Sequence, residues 1–327
     1  MVGTGPSDGR ATCPLVVIFR MHYRPTMAQE EGSVTSIDRR GFLVGTGALM
    51  LASPALAQDA WANWLQGVKR EAMGKGVPTD VIDRAFARLQ PIERVLELDR
   101  HQPEFKLTWS EYLGRVVTEE RVRRGRELYR ENAALLSRTA GPHGVPPEIV
   151  VALWGVESNF GTRMGDFNVI GALATLAFNG RRTKYFRAEL VAALRVLADN
   201  HVPFDKMVGS WAGAMGQCQF MPSSFLALAI DGDGDGKRDI WGSRADVFAS
   251  AANYLRKAGW KAGVRWGDEL RPGESVAGKG DRIVTPEGAN GRRYATTANF
   301  RAIRGWNPAD FFALSVGILS DRIAAAR

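Results

Sequence analysis

Residues 150–161 read Val-Val-Ala-Leu-Trp-Gly-Val-Glu-Ser-Asn-Phe-Gly, a run in which a single side chain is charged. Just before it, Gly141-Pro142-His143-Gly144-Val145-Pro146-Pro147 is a strong break between elements. Proline is favoured in the first turn of a helix, and an acidic residue such as Glu148 is favourable there too. We therefore predict a helix that begins at Pro147 and ends near Asn159.

Glu157 is the charged residue of this run, and it falls near the C-terminal end of the predicted helix. The helix macrodipole disfavours a negative charge there, and the neighbours Trp154, Val156 and Phe160 are apolar. Both effects raise the pKa of a carboxyl, which lets Glu157 keep its proton near neutral pH and act as a general acid. The competing interpretation is that the Glu157 side chain simply extends from the end of the helix into solvent and has no catalytic role.

The rest of the chain is predicted to be mainly helical. Residues 61–136 are rich in helix formers, and Thr118 to Leu136 reads as one long, charged helix. Further helices are predicted at 184–199, 243–258 and 308–325. Residues 268–304 instead alternate Gly, Thr, Val and Arg with turn signals, which predicts a small antiparallel β-subdomain.

Length, charge and cysteine content narrow the possible classes. The 327 residues suffice for one large domain or two to three smaller ones. The net charge of +8 suits nucleic acid or a polyanionic cell-wall polymer, or reflects a solvated basic surface. Because no Lys/Arg run or recognised nucleic-acid motif is present, we predict no nucleic-acid partner. The two cysteines are Cys13 and Cys218, and removal of a leader with Cys13 leaves no internal disulfide.

Residues 1–57 are predicted to be a leader that directs export to the periplasm. Arg39 and Arg40 form a positive region, Phe42 to Ala52 a short apolar region, and Ala55-Leu56-Ala57 a cleavage site. The paired arginines are typical of a twin-arginine signal, with an ordinary secretory signal as the alternative. We predict that translation starts at Met27, because residues 1–26 lack a signal pattern. No transmembrane segment is expected after removal of the leader.

An Asp/Gly-rich segment predicts a structural calcium site, and no catalytic cofactor is expected. Asp231, Asp233 and Asp235 occupy positions one, three and five of a loop, with glycine at position six, as in calcium-binding loops. Lys237 would contribute its backbone carbonyl. Position twelve is Gly242 rather than the usual bidentate glutamate, which leaves open an Asp/Gly turn without metal.

Four segments together resemble the lytic murein transglycosylases of the membrane-bound lytic transglycosylase B family. Trp154-Gly155-Val156-Glu157-Ser158-Asn159-Phe160-Gly161 resembles the catalytic motif of that family. The other three segments, in the expected order, are Phe178-Asn179-Gly180-Arg181-Arg182-Thr183-Lys184-Tyr185-Phe186, Gly209-Ser210-Trp211-Ala212-Gly213-Ala214-Met215-Gly216-Gln217-Cys218-Gln219-Phe220-Met221-Pro222-Ser223 and Ala251-Ala252-Asn253-Tyr254-Leu255. The resemblance extends over roughly residues 60–325.

The resemblance implies a mainly α fold with a goose-type, lysozyme-like catalytic core in residues 141–267. An α-helical N-terminal domain would occupy 58–140, the small antiparallel β-subdomain 268–304, and a C-terminal helix returning to the core 305–327. The family resemblance also implies an activity, the cleavage of the β-1,4 bond between N-acetylmuramic acid and N-acetylglucosamine in the glycan strands of peptidoglycan. Glu157 would be the single catalytic acid and base, and 1,6-anhydromuramic acid ends would form without water.

The resemblance implies roles for further residues. Ser210 matches a serine placed to hydrogen-bond the N-acetyl group or nearby backbone, and Gln219 a substrate-binding glutamine. Tyr254 matches an active-site tyrosine and Asn307 an asparagine that lines the cleft. Trp306 departs from the tyrosine expected beside Asn307.

Other matches concern charge and metal. Arg181, Arg182 and Tyr185 match a stretch that contacts glycan and stem peptide, where an arginine fork suits carboxylates; surface charges are the alternative. Asp246 matches the acid that closes the calcium loop. Cys218 is interpreted as a small buried residue rather than a nucleophile.

Two other functions stay open at this point. A muramidase would let water attack in place of the sugar hydroxyl, and a non-catalytic, calcium-dependent wall-binding protein would not cleave glycan at all. Peptidoglycan is the expected partner under all three, with other cell-wall enzymes as further candidates.

Overall fold

Helices make up most of the molecule in the computed structural model, which describes residues 54–101 and 107–325. The predicted leader lies outside the described residues except for residues 54–57, with which the first helix begins. The helices are α1 (Pro54–Gly74), α2 (Thr79–Phe86), α3 (Glu93–Arg100), α4 (Trp109–Val116), α5 (Glu119–Glu131), α6 (Ala133–Ala140), α7 (Pro147–Ser158), α8 (Val169–Asn179), α9 (Thr183–Ala198), α10 (Pro222–Leu228), α11 (Arg244–Lys257), α12 (Ala298–Trp306) and α13 (Asp310–Ala324). The strands are β1 (Phe167–Asn168), β2 (Val208–Gly209), β3 (Gly267–Leu270), β4 (Arg282–Val284) and β5 (Arg293–Thr296). Within the described ranges, no helix is both long and apolar enough to cross a membrane.

Helix α7 is deeply buried, because nearly all of its side chains are apolar. It begins at Pro147, as predicted, and ends at Ser158. The residues from Ile149 to Gly155 are all buried, and the helix packs against α5, α6, α11 and α13. Each large apolar side chain buried in this way contributes roughly 1.5–3 kcal/mol. The burial of α7 therefore fixes the place where Glu157, near its C-terminal end, emerges.

The helices before α7 pack against it and against the helices that follow it. Contacts join α1 and α2 to α9, α3 to α8, and α4 to α13. The single helix predicted from Thr118 to Leu136 is instead two helices, with a break at Asn132. The Asn132 side-chain amide donates to the Leu128 carbonyl at 2.7 Å, a local bond that competes with continuation of the helix. The domain boundary predicted at residue 140 stays a prediction.

Two small antiparallel sheets complete the fold. β1 pairs with β2, and β3, β5 and β4 form a second sheet in that spatial order, with Gly267 opposite Thr296. This second sheet lies in the range predicted for the β-subdomain. The last part of that range is wrong, because residues 298–306 form helix α12. The Thr297 hydroxyl accepts a hydrogen bond from the Asn299 N–H at 3.0 Å and so caps this helix.

Gly317 in α13 and Gly114 in α4 form a matched pair that tests the packing of the core. A methyl group added at Gly317 would lie 2.3 Å from the Trp266 ring, whereas nothing lies within 4 Å of the equivalent position at Gly114. We expect Gly317→Ala to lower the free energy of unfolding by about 1–3 kcal/mol through overpacking. Gly114→Ala should raise it by up to about 1 kcal/mol, because alanine favours helix. Denaturant titration measures both, and equal stabilities would contradict this packing of α13.

Candidate active site

A sharp reversal of the chain follows Glu157 at the end of α7. Asn159, Phe160 and Gly161 all have positive φ angles, of 48°, 59° and 80°. The N–H groups of Asn159 and Phe160 bond back to carbonyl groups of α7 at 3.1 Å each. These bonds satisfy carbonyl groups that the end of a helix would otherwise leave without partners. Glu157 thus lies one residue before a helix end that these backbone bonds hold in place.

The buried side chain of Gln217 joins α7 to a later loop. Its Oε1 accepts from the Trp154 indole at 2.7 Å, and its Nε2 donates to the Trp241 carbonyl at 2.8 Å. Gly161 leaves the room for this amide, since a Cβ atom there would lie 2.3 Å from Gln217 Oε1. Because both ends of the amide are bonded, the loop around Gln217 is attached to the helix that carries Glu157.

The indole of Trp306 contacts the Glu157 carboxyl directly. Its Nε1–H donates a hydrogen bond to Oε1 of Glu157. Trp306 ends α12 and is only 2% exposed, with its ring packed against Tyr254 and Phe220 at centroid distances of 4.7 and 5.2 Å. Glu157 itself is half-buried. It does not simply extend into solvent, because one of its oxygens is held by a buried donor.

Tyr112 of α4 lies in the electrostatic field of Glu157. Its side chain is buried. Burial raises the pKa of the Tyr112 phenol above its ordinary range, and the negative charge of Glu157 raises it further against the opposing charge of Arg121. The phenol therefore keeps its proton at neutral pH. The N-terminal helices thus contribute to the surroundings of the candidate catalytic carboxyl.

Ser210 and Gln219 lie in one tight loop after β2, and their side chains bond to backbone. The Ser210 hydroxyl accepts from the Ala214 N–H at 3.0 Å. Gln219 has a positive φ of 51°, and its Nε2 donates to the carbonyls of Met164 and Gly216 at 2.9 and 2.8 Å. These bonds tie the loop to the segment after α7. The backbone bond of Ser210 is one of its two predicted roles, and contact of either residue with substrate stays a prediction.

Tyr254 and Asn307 hold the segment around Trp306. The Tyr254 hydroxyl donates to the Gly305 carbonyl at 2.8 Å, and Asn307 Oδ1 accepts from the Ala309 N–H at 3.1 Å. Both side chains are buried. The structure therefore brings these two predicted residues to the tryptophan that contacts Glu157. Their contact with a sugar stays a prediction.

Arg181, Arg182 and Tyr185 lie together where α8 ends and α9 begins. The Arg181 guanidinium donates to the Asp99 carbonyl at 2.7 Å, and the Arg182 guanidinium lies 4.3 Å from the centre of the Tyr185 ring. The side chain of Arg181 is 63% exposed, so a carboxylate ligand can reach it. Binding of glycan or stem peptide by these residues stays a prediction.

A small cavity of about 10 Å³ borders Glu157. It is lined by Leu153, Trp154, Glu157, Gln217, Cys218, Val247, Ala251 and Trp306. This volume holds at most about one water molecule. The Cys218 thiol is buried and donates to the Val247 carbonyl at 3.5 Å, consistent with its interpretation as a small packed residue. The side of Glu157 that borders this cavity is therefore closely packed.

Three of the five predicted calcium ligands come together. Asp231, Asp233 and Asp246 each offer a carboxylate oxygen, and these oxygens lie within 4.8 Å of one another. The pKa of Asp246, which is fully buried, is raised first by burial and then by the charges of Asp233 and Asp231. A cation would relieve this repulsion, so the donors fit a hard divalent ion. Asp235 is outside the cluster found among the described residues, and its carboxylate accepts the Lys237 N–H at 2.8 Å.

Sequence reasoning missed three residues of this site. Tyr112 lies in a segment with no motif, and Gln217 lies inside a quoted motif without any role assigned to it. Trp306 was noticed only as a departure from tyrosine. That departure was the one signal in the sequence that Trp306 has a role. The role itself could not be predicted, because the indole N–H contacts its acceptor only after the distant helix α7 has packed against it.

Comparisons with known proteins identify the family. A family model described as the transglycosylase SLT domain matches residues 60–282 and 271–321 of this chain. Membrane-bound lytic murein transglycosylase B of Escherichia coli (strain K12) is 40% identical over 156 residues, which are 47% of this chain and 43% of that protein. This alignment therefore spans less than half of the length of that relative.

Solved structures extend the likeness to about four fifths of this chain. SltB3 from Pseudomonas aeruginosa, in complex with NAG-anhNAM-pentapeptide, is 39% identical with a TM-score of 0.76, covering 81% of this chain and 79% of that chain. The Escherichia coli lytic transglycosylase Slt35, in complex with calcium, is 29% identical with a TM-score of 0.69, covering 80% and 93%. These likenesses confirm the predicted mainly helical, lysozyme-like fold class. Because the family model covers most of its length, the chain belongs to the family defined by the transglycosylase SLT domain.

Proposed function

We propose that this protein is a lytic transglycosylase that cleaves the β-1,4 bond between N-acetylmuramic acid and N-acetylglucosamine in peptidoglycan. The observation that carries the proposal is a single half-buried carboxyl, Glu157, held by a buried indole at the end of an apolar helix. Further support comes from SltB3 of Pseudomonas aeruginosa, which was solved with NAG-anhNAM-pentapeptide and with NAG-NAM-pentapeptide.

Glu157 acts first as an acid and then as a base. Its proton passes to the glycosidic oxygen as the bond between that oxygen and C1 of muramic acid breaks. The resulting carboxylate removes the proton from the C6 hydroxyl of the same muramic acid, and this oxygen bonds to C1. The products are a 1,6-anhydromuramic end and a free hydroxyl on N-acetylglucosamine. Glu157 is protonated again, and no water is consumed.

The surroundings of Glu157 favour this route over hydrolysis. Many glycosidases use two carboxylates, the second as nucleophile or as base for water. Asp166, the nearest acidic residue after Glu157 in the chain, is exposed. We assign stabilisation of the developing cation to the substrate's own N-acetyl group, which Ser210 would orient.

The substrate site extends from the catalytic carboxyl to the arginines at the start of α9. Gln219, Tyr254 and Asn307 would bind the sugars near the cleaved bond. Arg181 and Arg182, with Tyr185, would bind the lactyl and stem-peptide carboxylates, which suit the fork of a guanidinium. The leader predicted in residues 1–57 would export the enzyme to the periplasm, where its net positive charge suits a polyanionic wall.

Replacement of Glu157 by glutamine tests the catalytic assignment. The amide keeps the shape of the side chain but cannot transfer a proton, so we expect release of muropeptides to fall by at least about 100-fold. Mass spectrometry of purified sacculi after digestion measures the products. The native enzyme should release fragments with anhydro ends, each one water lighter than the reducing ends that a muramidase makes.

Glu148→Gln is the matched control for this experiment. Glu148 is half-buried like Glu157 and lies in the first turn of the same helix, at the opposite end from the candidate site. It should release muropeptides at the native rate. If the native protein released fragments with reducing ends, the enzyme would be a hydrolytic muramidase and the proposal would be wrong. Absence of any cleavage would favour the wall-binding alternative.

We also propose a structural Ca²⁺ held by Asp231, Asp233 and Asp246. The ion would neutralise the buried Asp246 and join the loop at 231–239 to α11, on which Asp246 lies. Asp235 and the Lys237 carbonyl would join the ligand set only if the loop adjusts around the ion. Slt35 of Escherichia coli, solved with calcium, supports the proposal.

Thermal melting with and without Ca²⁺ tests the metal site. Because the folded-state pKa of Asp246 is raised, its contribution to stability is present at acid pH and is lost as the pH rises through that value. Without calcium, the Tm of the native protein relative to that of Asp246→Asn should therefore decline from acid towards neutral pH. Added Ca²⁺ should raise Tm more at neutral pH than at acid pH, where protons compete with the ion.

Asp246→Asn should abolish the calcium-dependent rise in Tm, whereas Asp205→Asn, an exposed change outside the loop, should leave it intact. A calcium response that survives in Asp246→Asn would show that the ion binds elsewhere.

A further inference from the structure

The two oxygens of the Glu157 carboxyl are not equivalent. Oε1 accepts the hydrogen bond from the Trp306 indole. The indole cannot turn away, because it is 2% exposed and its ring is packed against Tyr254 and Phe220. The Tyr254 hydroxyl in turn holds the neighbouring Gly305 carbonyl at 2.8 Å. A rigid donor is therefore directed at one oxygen of the catalytic carboxyl.

An indole N–H can donate a hydrogen bond but has no lone pair with which to accept one. A protonated carboxyl has one hydroxyl oxygen and one carbonyl oxygen, and the carbonyl oxygen is the better acceptor. With Oε1 facing a fixed donor, the acid form of Glu157 carries its proton on Oε2. A tyrosine hydroxyl at the same place could donate or accept, and would allow the proton on either oxygen.

We propose that Trp306 is a positioning residue that reserves Oε1 as a permanent acceptor, so that Oε2 alone releases and recovers the proton. This inference rests on the proposed function, since it specifies which atom performs both proton transfers. In the first step Oε2 loses its proton to the glycosidic oxygen. In the second step the same Oε2 takes the proton of the C6 hydroxyl. The Trp306 bond persists throughout and strengthens while the carboxylate is charged.

Several titratable or charged groups belong to the surroundings of Glu157. Tyr112 on α4 keeps its proton, Arg121 on α5 acts on Tyr112, and Cys218 borders the same cavity as Glu157. Tyr254 on α11 reaches the site through its contact with Trp306. Trp306 differs from the two tyrosines and the cysteine because it neither titrates nor accepts. Its contribution is always in the direction that favours the charged carboxylate.

Trp306→Phe keeps an aromatic ring and removes the N–H. We expect kcat on soluble glycan strands to fall at least about tenfold while KM changes little, because the proton is then shared between two oxygens. The alkaline limb of the pH profile should move up by about one pH unit, because loss of a bond to the carboxylate favours the protonated form. An unchanged kcat and pH profile would overturn the proposal.

Phenylalanine is smaller than tryptophan, so a second replacement separates hydrogen bonding from packing. Trp306 is replaced by 3-benzothienylalanine, which keeps the two fused rings and exchanges the N–H for sulfur. Its Tm should match the native protein within a few degrees, while the loss of kcat and the shift of the pH profile should match Trp306→Phe. Native kinetics in this variant would show that Trp306 acts only by packing.

Infrared difference spectroscopy tests the same bond without any substrate. The carbonyl stretch of the protonated Glu157 is identified as the band missing from Glu157→Gln. In both Trp306 variants this band should move to higher wavenumber, because the carbonyl oxygen loses its donor. A band at the native position would refute the inference even if the enzyme is a transglycosylase. Failure of the native protein to release anhydro-muropeptides would instead refute the proposed function and leave this measurement interpretable.

Discussion

The chain reversal after Glu157 is the constraint on which the site depends. An apolar helix is buried on all sides, and three successive residues with positive φ turn the chain back immediately beyond it. A positive φ costs conformational free energy at Asn159 and Phe160, which are not glycine. This conformation persists because the surrounding contacts stabilise it. The Gln217 amide, bonded to Trp154 on one side and to the Trp241 carbonyl on the other, is part of that support.

Polar atoms in this protein's interior mostly hold backbone in place. Ser210, Gln219, Tyr254 and Asn307 are all buried, and each bonds a main-chain group of a loop or helix end. A buried polar group without a partner is costly, so these bonds stabilise the irregular segments that reach the site. The same residues are those that the family resemblance places at the substrate. One side chain can thus stabilise a loop through a backbone hydrogen bond and also be placed to contact a sugar.

The β-sheet contributes indirectly, by supporting the helix that carries Tyr112. Ser110 at the start of α4 donates to Glu287 in the hairpin between β4 and β5, at 2.6 Å. Trp109 packs edge-on against Tyr294 of β5 at 6.2 Å and against Phe311 of α13 at 5.2 Å. The sheet, which is far from Glu157 in the sequence, therefore supports the helix that carries Tyr112, and the pKa of Tyr112 responds to the charge of Glu157.

Local patterns in the sequence were enough for α9, α11 and α13, for the helix α7 that carries Glu157 and for the spacing of the aspartates in the loop. The family motifs added the identity of the candidate site residues. They were insufficient where one residue's role depends on another far along the chain. The break at Asn132, the role of Trp306 and the presence of Tyr112 near Glu157 all depend on packing between distant segments. Hydrogen bonds and burial in the folded state are set by such long-range contacts, which neither helical periodicity nor motif spacing records.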